Sequence, residues 1–262
     1  MCRKVAIMVA THKAYDFPDD KGYLPIHVGA AVNNKELYVQ KDDDGENISL
    51  LNSGFCEITG LYWLWKNLDA DVYGLAHYRR YFKSADSSVL LKGEKVASSK
   101  EISEYLEIFD IVLPTKRNYW IESVKSHYGN AHNVEDLNKL REVIEDSFPD
   151  YVRYFDDVMS GTKLCLFNMF AAKKEVFNSY CDWLFDVLFK LREKVDVAHY
   201  DQYQARVFGF LAERLLNVWV SANIDENKIT YLPVVNLEGE NLFLKGFGLI
   251  KRKLKSGTRT QG

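Results

Sequence analysis

His77, Arg79 and Arg80 crowd two guanidiniums and an imidazole into one short stretch, Asp69-Ala-Asp-Val-Tyr-Gly-Leu-Ala-His-Tyr-Arg-Arg-Tyr-Phe82. A guanidinium is a rigid fork of N–H donors that matches a phosphate bidentately. Two of them beside an imidazole suit a phosphate or diphosphate. The plainer alternative is a solvated strand end held in surface ion pairs.

A second group is His199-Tyr-Asp-Gln-Tyr-Gln-Ala-Arg206. Asp201 stands where a helix should begin, with Arg206 a turn and a half further on. A carboxylate there can cap the helix. It can equally act as a general base, taking the proton of an acceptor hydroxyl in a single-displacement glycosyl transfer. Asn168 and Met169 follow an apolar run and could line a sugar pocket, although a buried Asn satisfied by backbone explains the first as well. His127, Tyr128 and His132 form a polar patch suited to donor or acceptor hydroxyls. No carboxylate lies at ligand spacing beside both histidines, which argues against a metal there.

Walker-type loops, GxGxxG, GxSxG and HExxH are absent from the chain. Kinase, Rossmann dehydrogenase, α/β-hydrolase and zincin readings weaken accordingly. Asp69-Ala-Asp71 has the DxD form that holds a divalent ion on a sugar nucleotide. It precedes a strand where such a triplet should follow one, so an acidic turn is preferred. With His77-Tyr-Arg-Arg80 at the strand end instead, the charge opposite a leaving diphosphate would come from protein, and no metal is required. Mn²⁺ or Mg²⁺ is the alternative.

These residues need a scaffold. Val5–Ala10 reads as a buried parallel-type strand leading into Thr11-His12-Lys13, and Val72–Leu75 as another leading into His77. Ligands of open α/β sheets bind at such carboxyl ends. Further strands are expected at Asp110–Pro114, Leu164–Ala172 and Ile229–Val235, with helices near 57–67, 101–109, 134–146, 151–159, 174–194 and 201–222. Residues 83–100 read as a mobile polar loop. Strands alternating with helices define an α/β class.

The chain has 262 residues, 47 % hydrophobic and 14 % aromatic, with a net charge of −3. That suffices for one large domain and gives no basis for a nucleic-acid partner. Four cysteines without CxxC spacing read as free thiols of a reducing cytoplasm. The first apolar run is too short for a secretory core or a membrane span. After Glu240 there is no acidic residue, while Lys245, Lys251, Arg252, Lys253, Lys255 and Arg259 alternate with apolar ones. The expected organisation is a domain over 1–238 and a basic amphipathic tail over 239–262, suited to an anionic membrane surface.

Several segments together resemble a known family. They are Ala10-Thr-His-Lys13, Tyr23-Leu-Pro-Ile-His-Val-Gly-Ala30, Gly45-Glu-Asn-Ile-Ser49, Cys56-Glu-Ile-Thr-Gly-Leu-Tyr-Trp-Leu-Trp-Lys-Asn67, His77-Tyr-Arg-Arg-Tyr-Phe82, Phe167-Asn-Met-Phe170 and Asp201-Gln-Tyr-Gln-Ala-Arg-Val-Phe208. The chain resembles bacterial capsular and exopolysaccharide glycosyltransferases of the uncharacterised-domain type. The resemblance implies a GT-A-like mixed sheet flanked by helices, with a helical C-terminal part. It implies transfer of a hexose, foremost galactofuranose from UDP-galactofuranose, to a lipid-linked oligosaccharide at the cytoplasmic face of the plasma membrane. Thr11, His12, Lys13, His27, His77, Tyr78, Asn168, Met169, Gln202 and Arg206 would hold the donor. Arg79 and Arg80 would face the leaving diphosphate, Asp201 would be the inverting base, and His127, Tyr128 and His132 would meet the acceptor. Rival expectations are a retaining hexosyltransferase using UDP-galactose or UDP-glucose, and a non-catalytic nucleotide-sugar or carbohydrate-binding module.

Overall fold

The computed structural model describes residues 3–239. β1 (Val5–Thr11) is buried along nearly its whole length. Ala6, Met8 and Ala10 point into one apolar layer, Ile7 and Val9 into the other, as the period of two demands. A strand covered on both faces cannot alternate apolar with polar, hence the continuous run. β1 pairs in parallel with β2 (Tyr23–His27) and, on its other side, with β4 (Val72–His77). β3 (Gln40–Lys41) continues the sheet beyond β2.

Past β4 comes Phe170–Lys173, antiparallel to it, then Ile111–Pro114, and then Ile229–Leu232 parallel to Ile111–Pro114. β5 (Arg80–Phe82) folds back from β4 and takes Val234–Asn236 as its antiparallel partner, completing a nine-stranded mixed sheet. Gly74 permits the central pairing, since a Cβ there would lie 2.9 Å from the Phe170 carbonyl oxygen. By these registers Thr11, His27, His77 and Pro114 end their strands at one edge of the sheet. Helices Ile58–Asn67, Lys174–Lys194 and Val207–Asn223 contribute to the larger apolar layer, and Ser99–Ile108 to the smaller. Among the described residues no helix is long and apolar enough to cross a membrane.

Four expectations change. Leu164–Ala172 is not one strand. Lys163–Leu164 and Phe170–Lys173 are separated by an irregular passage in which Phe167 and Asn168 both have left-handed backbone (φ 74° and 54°). The last strand divides at Pro233, which has no N–H to give a ladder. The 83–100 loop is structured: Leu90–Leu91 pairs with Glu94–Lys95, and Leu91, Val96 and Ala97 are buried. The helix expected from Asp201 begins at Val207, after a short 3₁₀ turn over Gln204–Arg206. The basic tail lies outside the described residues.

Candidate active site

The β4–β5 corner is tight. His77 faces Arg80 across the ladder, so Tyr78 and Arg79 form the turn, and Tyr78 N–H donates to the Ala10 carbonyl at the end of β1 (3.1 Å). The two arginines consequently engage different partners. Arg79 donates to one oxygen of Glu238 (2.8 Å) and Lys13 to the other (3.0 Å). Both cations lie near the Tyr78 ring, at 4.8 Å for Lys13 and 5.6 Å for Arg79. Hydrogen bonds from Arg79 and then Lys13 hold the Glu238 carboxyl down at about 2. His12 sits edge-on to Tyr78. Burial lowers its pKa, and the cations Lys13, Lys35, Arg79 and Arg206 lower it further. An imidazole whose charged form is disfavoured by four cations marks a locally basic patch, with Lys13 and Arg79 of that set paired to Glu238.

Arg80 turns inward, its guanidinium 4.4 Å from the centre of the Phe167 ring. His77 Nε2 lies 2.6 Å from the Phe167 carbonyl, a distance that makes the ring nitrogen the donor. Phe167 N–H donates to Glu213, whose other oxygen accepts from Arg214 (2.9 Å). The Asn168 amide donates to Glu57 (2.8 Å) and to the Gly209 carbonyl (3.2 Å). Glu57 and Glu213 thus hold a left-handed Phe–Asn pair in place. Asn tolerates that backbone; Phe does so only under external constraint, which is typical of functional loops. Burial drives His77 down and the Glu213 carboxyl up.

Asp201 begins the third part. Its Oδ1 accepts from the Tyr203 and Gln204 N–H groups (2.9 and 2.8 Å), so one oxygen of an exposed carboxylate organises the turn before the helix, whose own N-cap position is Arg206. The turn it organises carries Arg206, which donates to Cys56 Sγ (3.2 Å), and Gln204, which meets His132 Nδ1 (3.2 Å). His132 packs on Phe210 and Tyr203, and burial lowers it to about 4. Exposed Gln202 lies on the same segment. His127 stacks on Tyr119 at 4.0 Å.

Other expected contacts are buried or held in local bonds. Tyr128 and Met169 are fully buried and pack in the core beneath the site. Thr11, 1 % exposed, shapes the turn into Lys13 by donating to its carbonyl (2.6 Å). His27 is equally buried. Asp69 pairs with Lys174, and Asp71 accepts from the Lys4 N–H (2.7 Å). Both lie at the amino end of β4, opposite the arginines, so the triplet is an acidic turn.

The mixed sheet now has a counterpart among known proteins. Residues 6–224 match the family described as Domain of unknown function (DUF4422). The chain belongs to this family. The DUF4422 chain also superposes on the apo structure of WbbM, described as a bifunctional glycosyltransferase, with a TM-score of 0.81 and 28 % identity. The match covers 90 % of this chain and 46 % of WbbM, so the chain spans about half the length of that protein. No curated protein matches it.

Four site residues escape a reading of the DUF4422 sequence: Glu57, Glu213, Glu238 and Asp42. Asp42 is fully buried and accepts from the Gly29 and Ala30 N–H groups and the Ser49 and Thr59 hydroxyls. It fixes the loop after β2, where Gly29 takes a φ of 72°. In sequence it is one of three consecutive aspartates in a turn, and nothing local distinguishes it.

Proposed function

We propose that this chain is a glycosyltransferase that moves a hexose, with UDP-galactofuranose as the leading donor, onto a lipid-linked oligosaccharide of capsule or exopolysaccharide synthesis. The observation that carries this reading is the Lys13–Arg79 pair, which grips a carboxylate at the carboxyl edge of a sheet shared with a glycosyltransferase. Two oxygens held by an ammonium and a guanidinium reproduce the demands of a diphosphate. Arg80, inward of the corner, adds charge nearer the reacting carbon.

In this mechanism an acceptor hydroxyl attacks the anomeric carbon as the bond from that carbon to the diphosphate oxygen breaks. The nucleotide departs with the electron pair. Asp201 takes the hydroxyl proton through Oδ2, the oxygen outside the two turn hydrogen bonds, and the configuration inverts. Lys13, Arg79 and Arg80 stabilise the departing charge in place of an ion. The location that follows is the cytoplasmic face of the plasma membrane, where nucleotide sugars meet lipid-linked acceptors.

A retaining reaction is the second reading, favoured by the turn hydrogen bonds that already occupy Asp201. The anomeric configuration of the product separates the two. The reading as a whole is tested by the thermal shift of the protein against a panel of nucleotide sugars, since a ligand bound only by the native state raises its melting temperature. UDP-galactofuranose should give the largest shift, and Arg79→Ala should abolish it. No shift with any nucleotide sugar would remove the proposal. Transfer that stops with EDTA and returns with Mn²⁺ would overturn the metal-free part alone.

A further inference from the structure

Trp120 and Ile121 are 81 % and 76 % exposed, and Tyr38 is 92 % exposed. Trp120 and Tyr38 share a second oddity. Their φ angles are +60° and +52°, left-handed backbone that suits Gly or Asn and strains a bulky aromatic. Neither ring is buried, so packing among the described residues does not account for a costly residue at a costly position. Tyr38 lies on the loop between β2 and β3, and Trp120 on the turn after the short strand Arg117–Asn118, which follows Ile111–Pro114 in the chain.

The Trp120 loop is firmly built. Tyr119 N–H donates to the Thr162 carbonyl (2.7 Å), Trp120 N–H to the Asn118 side chain (2.8 Å) and Ile121 N–H to the Tyr119 carbonyl (2.8 Å). The Tyr119 ring stacks on His127, which ties the loop to the expected acceptor side. Exposed Lys116 and Lys125 flank the apolar pair, with half-buried Arg117 between Lys116 and the turn. An indole and an aliphatic side chain on a hydrogen-bonded turn, with Lys116, Arg117 and Lys125 near in sequence and Glu122 bonded to Asn130 (3.1 Å), complement a bilayer interface, where Trp prefers the headgroup level and basic side chains meet anionic lipid.

We infer that the Trp120–Ile121 tip enters an anionic bilayer surface and turns the site toward it. The inference deepens the reading of the acceptor as lipid-borne, yet vesicle binding needs neither sugar nor turnover. The two can therefore fail separately.

The test is co-sedimentation of the full chain with phosphatidylglycerol-containing and pure phosphatidylcholine vesicles. The comparison variant is Trp120→Gly/Ile121→Ser. Glycine suits the left-handed position, so the variant should melt no lower than the parent. It should bind anionic vesicles about tenfold or more less tightly, the scale of losing one or two inserted apolar side chains. The parent should prefer anionic over neutral vesicles. Undiminished binding by the variant would overturn the inference, as would equal binding to both vesicle types or no vesicle binding by the parent. A variant that melts well below the parent would assign Trp120 to the fold and overturn it too.

Discussion

Arg79 and Glu238 are joined by a 2.8 Å salt bridge across 159 positions of sequence, and Glu238 turns its second oxygen to Lys13 at 3.0 Å. A nucleotide diphosphate arriving at these cations has to displace a carboxylate. Glu238→Gln removes the competing charge and should tighten donor binding roughly two- to fivefold, because the pair is exposed and screened. Titration calorimetry with UDP-galactofuranose checks this; weaker binding by the variant would show instead that Glu238 holds the two cations in their working positions.

Asp201→Asn is a clean variant because the Asn Oδ1 can accept the same two turn hydrogen bonds from Tyr203 and Gln204. Melting temperature and donor affinity should stay near those of the parent while kcat falls about a hundredfold or more. Normal turnover would take Asp201 out of the chemistry.

Asn168→Ala should destabilise the protein by roughly 1–3 kcal/mol. It deprives Glu57 of its amide partner and places a Cβ-bearing residue without a stabilising side chain in left-handed backbone. Chemical denaturation gives the number. A neutral result would mean that the Phe167–Asn168 passage relaxes freely.

Asp42→Ala removes the acceptor of two N–H groups and two hydroxyls at once, and should cost roughly 3–5 kcal/mol. Reduced expression and a lower melting temperature are expected. An unchanged melting curve would contradict the bonding described for the loop after β2.

Acid should weaken the fold through its histidines. His132 is lowered to about 4, and His12, His27 and His77 are lowered too, in each case chiefly by burial. The unfolded chain takes up these protons near pH 6.5 while the folded chain resists, so stability falls as pH drops below about 6.5. For His132 the loss continues to about pH 4 and amounts at most to about 3 kcal/mol. Melts at pH 8, 6.5 and 5 should show the trend, and His132→Phe should flatten it. Higher stability at pH 5 than at pH 8 would contradict the burial of these rings.

The parts legible in sequence were those with a local signature. β1, β4 and Ile111–Pro114 are continuous apolar runs because both faces of the sheet are covered. The basic corner follows from composition alone. What stayed hidden depends on distant partners. Glu57 meets Asn168 across 111 positions and Glu213 meets Phe167 across 46, and no periodicity encodes either pairing. The divergence of Arg79 from Arg80 comes from the β4–β5 turn, whereas the sequence shows only a basic cluster at a strand end.

The sheet was described with β4 between β1 and Phe170–Lys173, and with β5 closed by Val234–Asn236. Contacts of such high sequence separation form slowly, after the loops between them have closed. The β4–β5 corner, proposed to meet the donor, is completed by the pairing of β5 with Val234–Asn236. Fragments ending before residue 234 should therefore be inert towards nucleotide sugars, however much secondary structure they retain.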